Sequence, residues 1–372
     1  MRLVLTGGGT GGHVYPAIAI AEACAQESSL APLDVSFIGT RGGLEAAIVP
    51  AAGLRLSFVR AEPLERRVSF ALFATLYANV VGLLQALVTF GRARPDVLVA
   101  TGGYVAFPVV AALRLLRTLR ITRAKIALLE ANAAAGLTNR LLAPLVDELW
   151  YAAPPGRALR PREIVTGMPV RAALRVPLEP QAAREALALE PRLTTIVVMG
   201  GSQGAWSLNE TVVRLIEAGV PEDWQIALVT GSRDFEPLAR RLDGRARTRV
   251  LAYLDDPRRA YAAADIMLTR SGASTLAELA ATRTPAILVP YPHATDDHQT
   301  RNAQAYAASG AAVVLDDAEL DASRLRAELG AALAPAALQR LRAAVQARAN
   351  DDPCVTIVAR VKRLASANGV VP

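Results

Sequence analysis

Ten residues near the start of the chain, GGGTGGHVYP from Gly7 to Pro16, constrain the fold more than any other stretch. The apolar run before them, Leu3 to Thr6, predicts a buried strand, and the sequence AIAIAEA after them predicts a helix. A glycine-rich turn between a strand and a helix lets an anion or a sugar hydroxyl approach bare backbone N–H groups. Its histidine, His13, can accept or release a proton near neutral pH. The stretch therefore predicts a ligand site at the carboxyl end of the first strand.

The second half of the chain repeats this signal, because TTIVVMGGSQGAWSLNE at 194–210 again indicates a strand, a glycine turn and a helix. Further strands are predicted at 35–39, 54–59, 96–103 and 125–130, and then in WQIALVTG, TRVLAYL, ADIMLTRSG and TPAILVPY. Helical patterns lie between these strands, and such alternation is typical of parallel sheets covered by helices on both faces. We therefore predict an α/β protein with two doubly wound domains in tandem, which suits its 372 residues.

The predicted boundary between the domains lies in an irregular, proline-rich stretch at 153–180. Two helices are predicted near the end of the chain, at 321–348 and 353–366, with a break at Asp352 and Pro353. The second of these helices is expected to cross back onto the first domain. The predicted domains are residues 1–167 with the final segment 350–372, and residues 168–349.

Composition limits the partners that the chain can have. Hydrophobic residues make up 52% and charged residues 20%, which excludes a disordered chain. The net charge of +7 favours an anionic partner, such as a nucleotide or a phospholipid surface. Nucleic acid is not expected, because aromatic residues are only 5% and no nucleic-acid motif is present.

The cysteines and the N-terminal residues both indicate a cytoplasmic protein. Cys24 and Cys354 lie in apolar helical patterns and are predicted to be buried free thiols, which fits a reducing compartment. Residues 1–20 lack the charged start and apolar core of a signal peptide, so export is not expected.

An apolar run at 68–90 is long enough to cross a bilayer. Asn79 and Gln85 speak against a span, and a parallel sheet requires a crossover helix at this point. In the next predicted helix, arginines recur every three residues from Arg114 to Arg120, beside apolar residues, as in a helix lying on anionic lipid. We therefore predict peripheral contact with an anionic membrane surface, the alternatives being core packing and a solvated helix face. Arginines also flank the apolar run at 68–90, at Arg66, Arg67, Arg92 and Arg94.

Three kinds of site compete for the first glycine turn. Gly7, Gly9 and Gly12 match the dinucleotide pattern G-x-G-x-x-G, but the second strand ends at Gly39 without the acidic residue of an NAD site. Arg41, shortly after that strand, can accept a 2′-phosphate, so an NADP site stays open. A P-loop is excluded, because no Gly-Lys-Ser or Gly-Lys-Thr follows the turn. The repetition of the turn in the second half favours a third possibility, a two-domain glycosyltransferase.

Seven longer segments are more specific than the turns alone. The chain carries, in order, GGTGGHVYPAIAIAE, GGYVAFP, LEANAAAGLTNR, GMPVR, GGSQGAWSLN, RSGASTLAELAA and VPYPHATDDHQTRNA. With these seven segments the sequence resembles the MurG family of cell-wall glycosyltransferases, and the resemblance covers nearly the whole chain.

The resemblance implies a GT-B fold, in which two Rossmann-like doubly wound parallel-sheet domains face a cleft. It implies an inverting transfer of GlcNAc from UDP-GlcNAc to the 4-hydroxyl of MurNAc in undecaprenyl-pyrophosphoryl-MurNAc-pentapeptide, called lipid I. The product is lipid II, used in peptidoglycan synthesis. The expected location is peripheral, on the cytoplasmic face of the cell membrane.

On the acceptor side, the resemblance makes His13 the first candidate for the general base, with Glu130 as the alternative base or as an orienting group. Thr10, Gly11 and Gly12 are expected to hold a substrate pyrophosphate through backbone N–H groups; we assign it first to the acceptor, and we also count these residues with the donor site. Two further residues are expected to follow strands of the first domain and to face the cleft, namely Tyr104 and Asn132. Tyr104 is assigned to acceptor binding or support, and Asn132 is counted with the donor site.

On the donor side, the helix after the second turn is expected to point its positive N-terminus at the UDP phosphates, as a metal ion does elsewhere. Glu278 is expected to hold the ribose hydroxyls. The other predicted donor residues are Arg171, Ser202, Gln203, Gly204, Thr275 and Gln299. Supporting roles are predicted for Asn209, Arg270 and Asn302. No cofactor or metal is expected, because the sequence lacks the D-x-D signature of metal-dependent transferases.

Two positions depart from the family pattern: Leu129 stands where a histidine is usual, and Met168 where an asparagine is usual. The first departure shifts weight to His13 and Glu130 as bases. Another two-domain UDP-sugar enzyme, either a glycolipid glycosyltransferase or a UDP-GlcNAc 2-epimerase, is the nearest alternative. A non-catalytic, membrane-bound nucleotide-sugar binding protein is the alternative from another class.

Overall fold

The structure is a computed structural model, and it describes residues 1–63, 70–201, 204–349, 352–367 and 369. The chain folds into two compact units, one of residues 1–172 with the last segment from Asp352, the other of residues 173–351. Each unit is built on one parallel sheet with helices around it. The predicted α/β class is therefore confirmed.

The N-terminal unit holds a seven-stranded sheet in the order β3-β2-β1-β4-β5-β6-β7. Every ladder in it is parallel, and residues 97–100 of the central strand β4 are all buried, as expected for a strand covered on both faces. The strands are β1 (Arg2–Thr6), β2 (Asp34–Gly39), β3 (Arg55–Phe58), β4 (Val97–Ala100), β5 (Lys125–Glu130), β6 (Glu148–Tyr151) and β7 (Glu163–Val165).

The C-terminal unit holds a six-stranded parallel sheet in the order β10-β9-β8-β11-β12-β13. In both sheets the chain fills one side first and then reverses, after β3 and after β10. Ligands of such sheets bind at the carboxyl ends of the strands where the order reverses. The strands are β8 (Thr194–Met199), β9 (Trp224–Val229), β10 (Thr248–Leu251), β11 (Ile266–Thr269), β12 (Ala286–Leu288) and β13 (Ala312–Val314). The glycine turns that follow β1 and β8 thus lie at these reversal points.

The helices cover the sheets. Those of the first half are α1 (Gly11–Gln26), α2 (Glu45–Ala51), α3 (Phe70–Ala93), α4 (Ala106–Thr118), α5 (Leu137–Leu142), α6 (Ala172–Arg175) and α7 (Pro180–Ala186). Those of the second half are α8 (Trp206–Glu217), α9 (Ser232–Arg241), α10 (Arg258–Ala263), α11 (Ala273–Thr282), α12 (His298–Ala307), α13 (Ala322–Leu333), α14 (Pro335–Arg348) and α15 (Pro353–Ser366).

Three sequence predictions need correction. The helix expected at 321–348 is two helices, because Pro335 cannot donate the backbone hydrogen bond that a continuous helix needs. The stretch expected to be irregular, 153–180, contains β7 and α6. The glycine turn is shorter than the predicted ten residues, since α1 already begins at Gly11 with Thr10 as its N-cap.

The polar residues inside the apolar helix α3 hold the segment that follows β3. Asn79 Nδ2 donates to the carbonyl of Glu62 at 3.0 Å, and Gln85 Oε1 accepts from the N–H of Arg60 at 2.7 Å. Gly82 lies between them, where a Cβ would collide with the Arg60 carbonyl. These contacts explain why an otherwise apolar helix carries an amide, a glycine and a second amide on one side.

The last helix, α15, packs against α1 of the N-terminal unit. Asp352 caps it by accepting the N–H of Cys354 at 2.9 Å, and Arg360 forms a salt bridge with Glu148 of β6. Both cysteines lie in these two helices, buried and free of disulfides, as predicted.

Candidate functional site

His13 is held at the reversal point of the first sheet. Its Nδ1 lies 2.8 Å from the carbonyl oxygen of Thr101, which follows β4, and the Thr101 hydroxyl donates to the carbonyl of His13 at 2.6 Å. A carbonyl oxygen only accepts, so Nδ1 carries the proton and Nε2 is the basic nitrogen of the neutral ring. Gly102 lets the ring come this close, because a Cβ there would lie 3.0 Å from Cε1 and Nδ1.

Glu45 supports the first glycine turn from behind, and sequence analysis missed it. Its side chain is fully buried, and its carboxylate accepts from the N–H of Gly9 at 3.3 Å and from the N–H of Thr40 at 2.9 Å. A Cβ at either Gly8 or Gly43 would come within 2.5 Å of this carboxylate. The sequence feature that could have indicated Glu45 is the set of glycines around it, including Gly39 at the end of β2. Only glycine at these positions leaves room for a buried carboxylate.

The remaining first-turn residues lie around His13. Thr10 caps α1 with its carbonyl, which accepts from the N–H of His13 at 3.1 Å. The N–H groups of Gly11 and Gly12 begin the helix and so have no partner within it. The Tyr104 ring covers Gly9, where a Cβ would lie 2.6 Å from its Cε1. The structure therefore brings these predicted residues together.

Glu130, at the end of β5, organises the loop that follows. It is 1% exposed, and its two oxygens accept from the N–H of Asn132 at 2.9 Å, the N–H of Gly136 at 3.2 Å and Nδ2 of Asn139 at 2.8 Å. Burial raises the pKa of the Glu130 carboxyl, and these N–H donors partly oppose the increase. Asn139, which sequence analysis did not select, also donates to the carbonyl of Leu129 at 3.2 Å.

The two departures from the family pattern are both buried. The Leu129 side chain is fully buried in β5, so it belongs to the core of the sheet. Met168 is 6% exposed. Arg171, which follows it, places its guanidinium 4.4 Å from the ring centre of Tyr15 on α1, a cation–π distance. Arg171 therefore packs on α1 within the N-terminal unit, whose first segment ends at Ala172.

The second turn follows β8, and two of its predicted residues, Ser202 and Gln203, lie outside the described residues. Gly204 adopts a φ of +76°, and a Cβ there would lie 2.4 Å from the carbonyl oxygen of Thr230. Asn209 Nδ2 donates to that same carbonyl at 3.0 Å and to Asp234 Oδ2 at 3.1 Å. Asn209 therefore fastens α8 to the loop between β9 and α9.

Arg270 follows β11 and is almost fully buried. Its guanidinium donates to the carbonyl of Val289 at 3.1 Å, to Asp317 Oδ1 at 2.5 Å and to the Ser207 hydroxyl at 2.8 Å. Among the described residues, Arg270 therefore links the ends of β11 and β12 to α8. These contacts agree with a supporting function.

Gln299 and Asn302 both bind the segment at the start of α11. Gln299 Oε1 accepts from the N–H of Ser271 at 3.2 Å and from the N–H of Tyr291 at 3.0 Å. Asn302 Nδ2 donates to the carbonyl of Ser271 at 3.3 Å. With its oxygen used in this way, Gln299 presents its amide N–H groups, for which the described residues provide no acceptor.

Thr275 and Glu278 lie on α11, one turn apart, and both are half-buried. The N-cap of this helix is Gly272, which has no side chain to bond the first N–H groups of the helix. These N–H groups are therefore open to an anion. Glu278 Oε2 accepts a hydrogen bond from the hydroxyl of Tyr261 at 2.5 Å.

A separate cavity of about 300 Å³ lies beside the end of β10, and none of the predicted site residues lines it.

The outer face of α3 is apolar and exposed. Among the described residues, Leu72–Ala93 is the one helical segment long and apolar enough to cross a membrane, judged by length and composition, and 22% of an apolar 18-residue stretch within it is buried. Its most exposed apolar side chains lie on one stripe, at Phe73, Tyr77, Val80, Leu84 and Val88.

The basic helix beside α3 differs in part from the prediction. Arg117 forms two hydrogen bonds with the carboxylate of Asp147, at 2.5 and 3.0 Å, and Lys125 lies 3.7 Å from it. Arg114 and Arg120 are exposed. The pattern of arginines therefore serves two purposes, because one member stabilises the fold and the others face solvent. Arg66 and Arg67 lie outside the described residues.

Comparison with known proteins identifies the family. Residues 3–150 match the glycosyltransferase family 28 N-terminal domain, and residues 195–352 match the glycosyltransferase family 28 C-terminal domain. A curated relative from Salinibacter ruber is 43% identical over 326 residues, which is 86% of this chain and 85% of the relative. It is named UDP-N-acetylglucosamine--N-acetylmuramyl-(pentapeptide) pyrophosphoryl-undecaprenol N-acetylglucosamine transferase. The chain belongs to the MurG family of glycosyltransferases.

Other family members and solved structures agree with this assignment. A relative of the same name from Symbiobacterium thermophilum is 38% identical over 376 residues, covering 98% of this chain and 96% of the relative. The crystal structure of MurG from Acinetobacter baumannii has a TM-score of 0.75 and 25% identity, covering 97% of this chain and 99% of that one. The calicheamicin glycosyltransferase CalG4, with a TM-score of 0.71 and 17% identity, shares the fold. The predicted GT-B fold and glycosyltransferase activity are therefore confirmed.

Proposed function

We propose that this protein transfers GlcNAc from UDP-GlcNAc to the 4-hydroxyl of MurNAc in undecaprenyl-pyrophosphoryl-MurNAc-pentapeptide, and so makes lipid II. The names of its relatives support the two substrates. The observation that carries the chemistry is the hydrogen bond from His13 to the Thr101 carbonyl, which fixes the ring and leaves Nε2 as its base.

In the proposed reaction, His13 Nε2 takes the proton of the acceptor hydroxyl as its oxygen attacks the anomeric carbon. The bond from that carbon to the β-phosphate oxygen breaks, and UDP leaves with the electron pair. Attack from the face opposite the leaving group inverts the anomeric centre. A histidine suits this step because its ordinary pKa lies near neutral pH.

Glu130 is proposed to orient rather than to act as the base. Its oxygens already accept from the N–H groups of Asn132, Gly136 and Asn139, so its carboxylate is committed to the loop after β5. The same contacts place Asn139 beside Gly102, where a Cβ would lie 3.4 Å from Asn139 Nδ2, next to the His13 ring. Glu130 thus acts on the site through the loop that borders His13.

We assign the acceptor to the domain of residues 1–167 with 350–372. The N–H groups of Gly11 and Gly12, at the positive end of α1, are proposed to bind a pyrophosphate, with Thr10 and Tyr104 beside them. The N–H of Gly9 is not available for this purpose, because Glu45 accepts it. The proposed anion site therefore begins at Gly11, two residues after Gly9.

We assign the donor to the domain of residues 168–349. Glu278 is proposed to hold the ribose, Gln299 to donate to the sugar and Thr275 to bind the diphosphate. The N-terminus of α8 after Gly204, together with Ser202, Gln203 and the guanidinium of Arg171, is proposed to offset the charge of the leaving diphosphate. Transfer without a metal ion stays a prediction, tested by assay in a chelator.

Peripheral attachment to the cytoplasmic face of the membrane is proposed through the exposed stripe of α3. Its apolar side chains suit the lipid interface, and the exposed Arg114 and Arg120 suit anionic headgroups. Val80→Glu with Leu84→Glu is expected to abolish binding to vesicles containing anionic lipid. The control Val176→Glu changes an equally exposed valine of the C-terminal unit and is expected to leave binding unchanged. Equal binding of both variants would exclude the stripe as the attachment surface.

The central test is an assay with UDP-GlcNAc and a lipid I analogue in the presence of a chelator. The wild type is expected to form the disaccharide product, His13→Ala to lose it and Glu130→Gln to retain a measurable rate. Absence of product from the wild type, despite binding of UDP-GlcNAc, would favour a non-catalytic binding protein. Loss of activity on chelation alone would contradict metal independence.

A further inference from the structure

Glu278 does not stand alone on α11, because a buried tyrosine from the neighbouring helix holds it. Tyr261 lies on α10 and is 2% exposed. Its hydroxyl donates to Glu278 Oε2 at 2.5 Å, a short hydrogen bond of the kind formed with a carboxylate. Glu278 itself is half-buried, and Tyr261 holds its Oε2.

The backbone of Tyr261 is fixed independently of its side chain. Its carbonyl accepts from the hydroxyl of Thr284 at 3.3 Å, and this hydroxyl lies 2.9 Å from that of Thr282. Thr282 in turn donates to the carbonyl of Glu278 at 2.7 Å. Thr284, two residues beyond the end of α11, therefore holds the backbone of Tyr261, and Thr282 at the end of α11 holds the backbone of Glu278.

We propose that Tyr261 is a positioning residue for the donor, acting through the carboxylate of Glu278. The proposal rests on the assignment of the UDP-GlcNAc ribose to Glu278. A glutamate side chain has several rotamers, and a carboxylate that moves among them binds a pair of hydroxyls weakly. Held by Tyr261, the carboxylate faces the ribose in one orientation and accepts hydrogen bonds from its hydroxyls.

This arrangement makes Tyr261 a determinant of sugar specificity in the nucleotide. The contacts of the diphosphate with helix N-termini do not involve Glu278. A nucleotide without the 2′-hydroxyl loses one of the hydrogen bonds that the ribose donates to the Glu278 carboxylate. A nucleotide that has this hydroxyl keeps both hydrogen bonds. The wild type is therefore expected to prefer UDP over 2′-deoxy-UDP, and this preference depends on the Tyr261 hydroxyl.

The test is calorimetric titration of the full chain with UDP and with 2′-deoxy-UDP, for the wild type and for Tyr261→Phe. The variant is expected to lose about tenfold in UDP affinity and less than about threefold in 2′-deoxy-UDP affinity. With UDP-GlcNAc as substrate, KM is expected to rise by a similar factor while kcat stays within about twofold. In a Glu278→Gln background, Tyr261→Phe is expected to have no further effect on the ratio.

The matched control is Tyr306→Phe, which removes a buried hydroxyl that has no hydrogen-bond partner among the described residues of the same unit. It is expected to bind both nucleotides as the wild type does. Equal losses for UDP and 2′-deoxy-UDP in Tyr261→Phe, or no loss, would overturn the positioning role. Failure of the wild type to bind UDP at all would instead overturn the proposed donor site, and the role of Tyr261 with it.

Discussion

The two glycine turns occupy equivalent places, since each follows the strand from which its sheet grows in both directions. Each is also backed by a buried acid: Glu45, fully buried, lies behind the first turn, and Asp234, 3% exposed, lies behind the second. They differ in the helix that follows. The first helix carries His13 in its first turn, whereas α8 begins Trp-Ser-Leu-Asn and carries no group there that titrates near neutral pH.

We propose that this difference assigns the chemistry to the first turn and donor binding to the second. In the first turn, the helix N-terminus and a fixed imidazole are next to each other, so an anion and a proton acceptor are available together. In the second turn, Asn209 donates to the Thr230 carbonyl, and a Cβ at Gly204 would collide with that carbonyl, so these residues fix the backbone of the proposed anion site. We expect substitutions at the first turn to affect turnover or acceptor affinity, and those at the second to affect donor affinity.

The largest expected effect comes from His13→Ala. Loss of the general base is expected to lower kcat by about 10² to 10⁴ while the affinity for UDP changes little. Steady-state kinetics and UDP titration measure the two quantities separately. His293→Ala, an exposed histidine of the C-terminal unit, serves as the control. If His13→Ala kept full kcat, the division of labour between the turns would be wrong.

The next largest effect is expected from Gly204→Ala in the second turn. A φ of +76° and a Cβ only 2.4 Å from the Thr230 carbonyl oxygen force the turn to shift. The KM for UDP-GlcNAc is expected to rise about tenfold or more, corresponding to about 1.4 kcal/mol, with little change in the acceptor KM. Gly219→Ala introduces the same backbone strain at φ +90°, with no neighbour within 4 Å, and is expected to leave both KM values unchanged.

A pair of isosteric changes sharpens the comparison further. Glu45→Gln places an amide N–H against the N–H of Gly9 or Thr40, and is expected to raise the acceptor KM severalfold and to cost about 1–3 kcal/mol of unfolding free energy. Asp234→Asn is expected to act on the donor KM instead, through Asn209. Denaturant titration and kinetics with each substrate varied test both. The same change in both KM values for either variant would contradict separate roles for the two turns.

The smallest expected effect is on stability and concerns Glu130. Burial raises the pKa of its carboxyl above the ordinary value of 4.5, so ionisation is less favourable in the folded chain than in the unfolded one. Relative to Glu130→Gln, the wild type is therefore most stable below the unfolded pKa and loses that advantage as the pH rises through the folded pKa. Unfolding free energies measured from about pH 4 to pH 8 test this direction.

Glu163 provides a control of opposite sign. Arg157 lowers the pKa of the Glu163 carboxyl to about 2 through a hydrogen-bonded ion pair. Relative to Glu163→Gln, the wild type is expected to keep its advantage above the unfolded pKa and to lose it on acidification. If the unfolding free energies of the two variants, each relative to the wild type, changed with pH in the same direction, burial would not be what sets the pKa of Glu130.

Strand and helix periodicity predicted both sheets, because parallel strands buried on both faces are nearly continuous apolar runs. It missed β6, β7 and β13, which are only three or four residues long. It also joined α13 to α14 across Pro335, since an apolar helical pattern continues through the break. The edge strands β7 and β13 and the proline break involve too few residues for periodicity to separate them from their surroundings, and the inner strand β6 begins with a charged residue, Glu148.

The site was predictable to the extent that it rests on local motifs. His13, Glu130, Gly204, Glu278 and Gln299 stand in distinctive segments of the sequence. Glu45, Asp234 and Tyr261 were not selected, because each acts through a contact with a residue that is remote in sequence. Asn139 was not selected either, although it stands in the same segment as its partner Glu130. Their hydrogen bonds to Gly9, Glu130, Asn209 and Glu278 exist only in the folded chain.

The sequence by itself determined the two parallel sheets, their glycine turns and the family to which the chain belongs, since these follow from local periodicity and contiguous motifs. The tertiary structure alone decided how the motif residues are held. It pairs the Gly9 N–H with Glu45, the Nδ1 proton of His13 with Thr101 and the hydroxyl of Tyr261 with Glu278. The physical reason is that a buried polar group must find a partner wherever the fold brings one, and no local pattern specifies which partner that is.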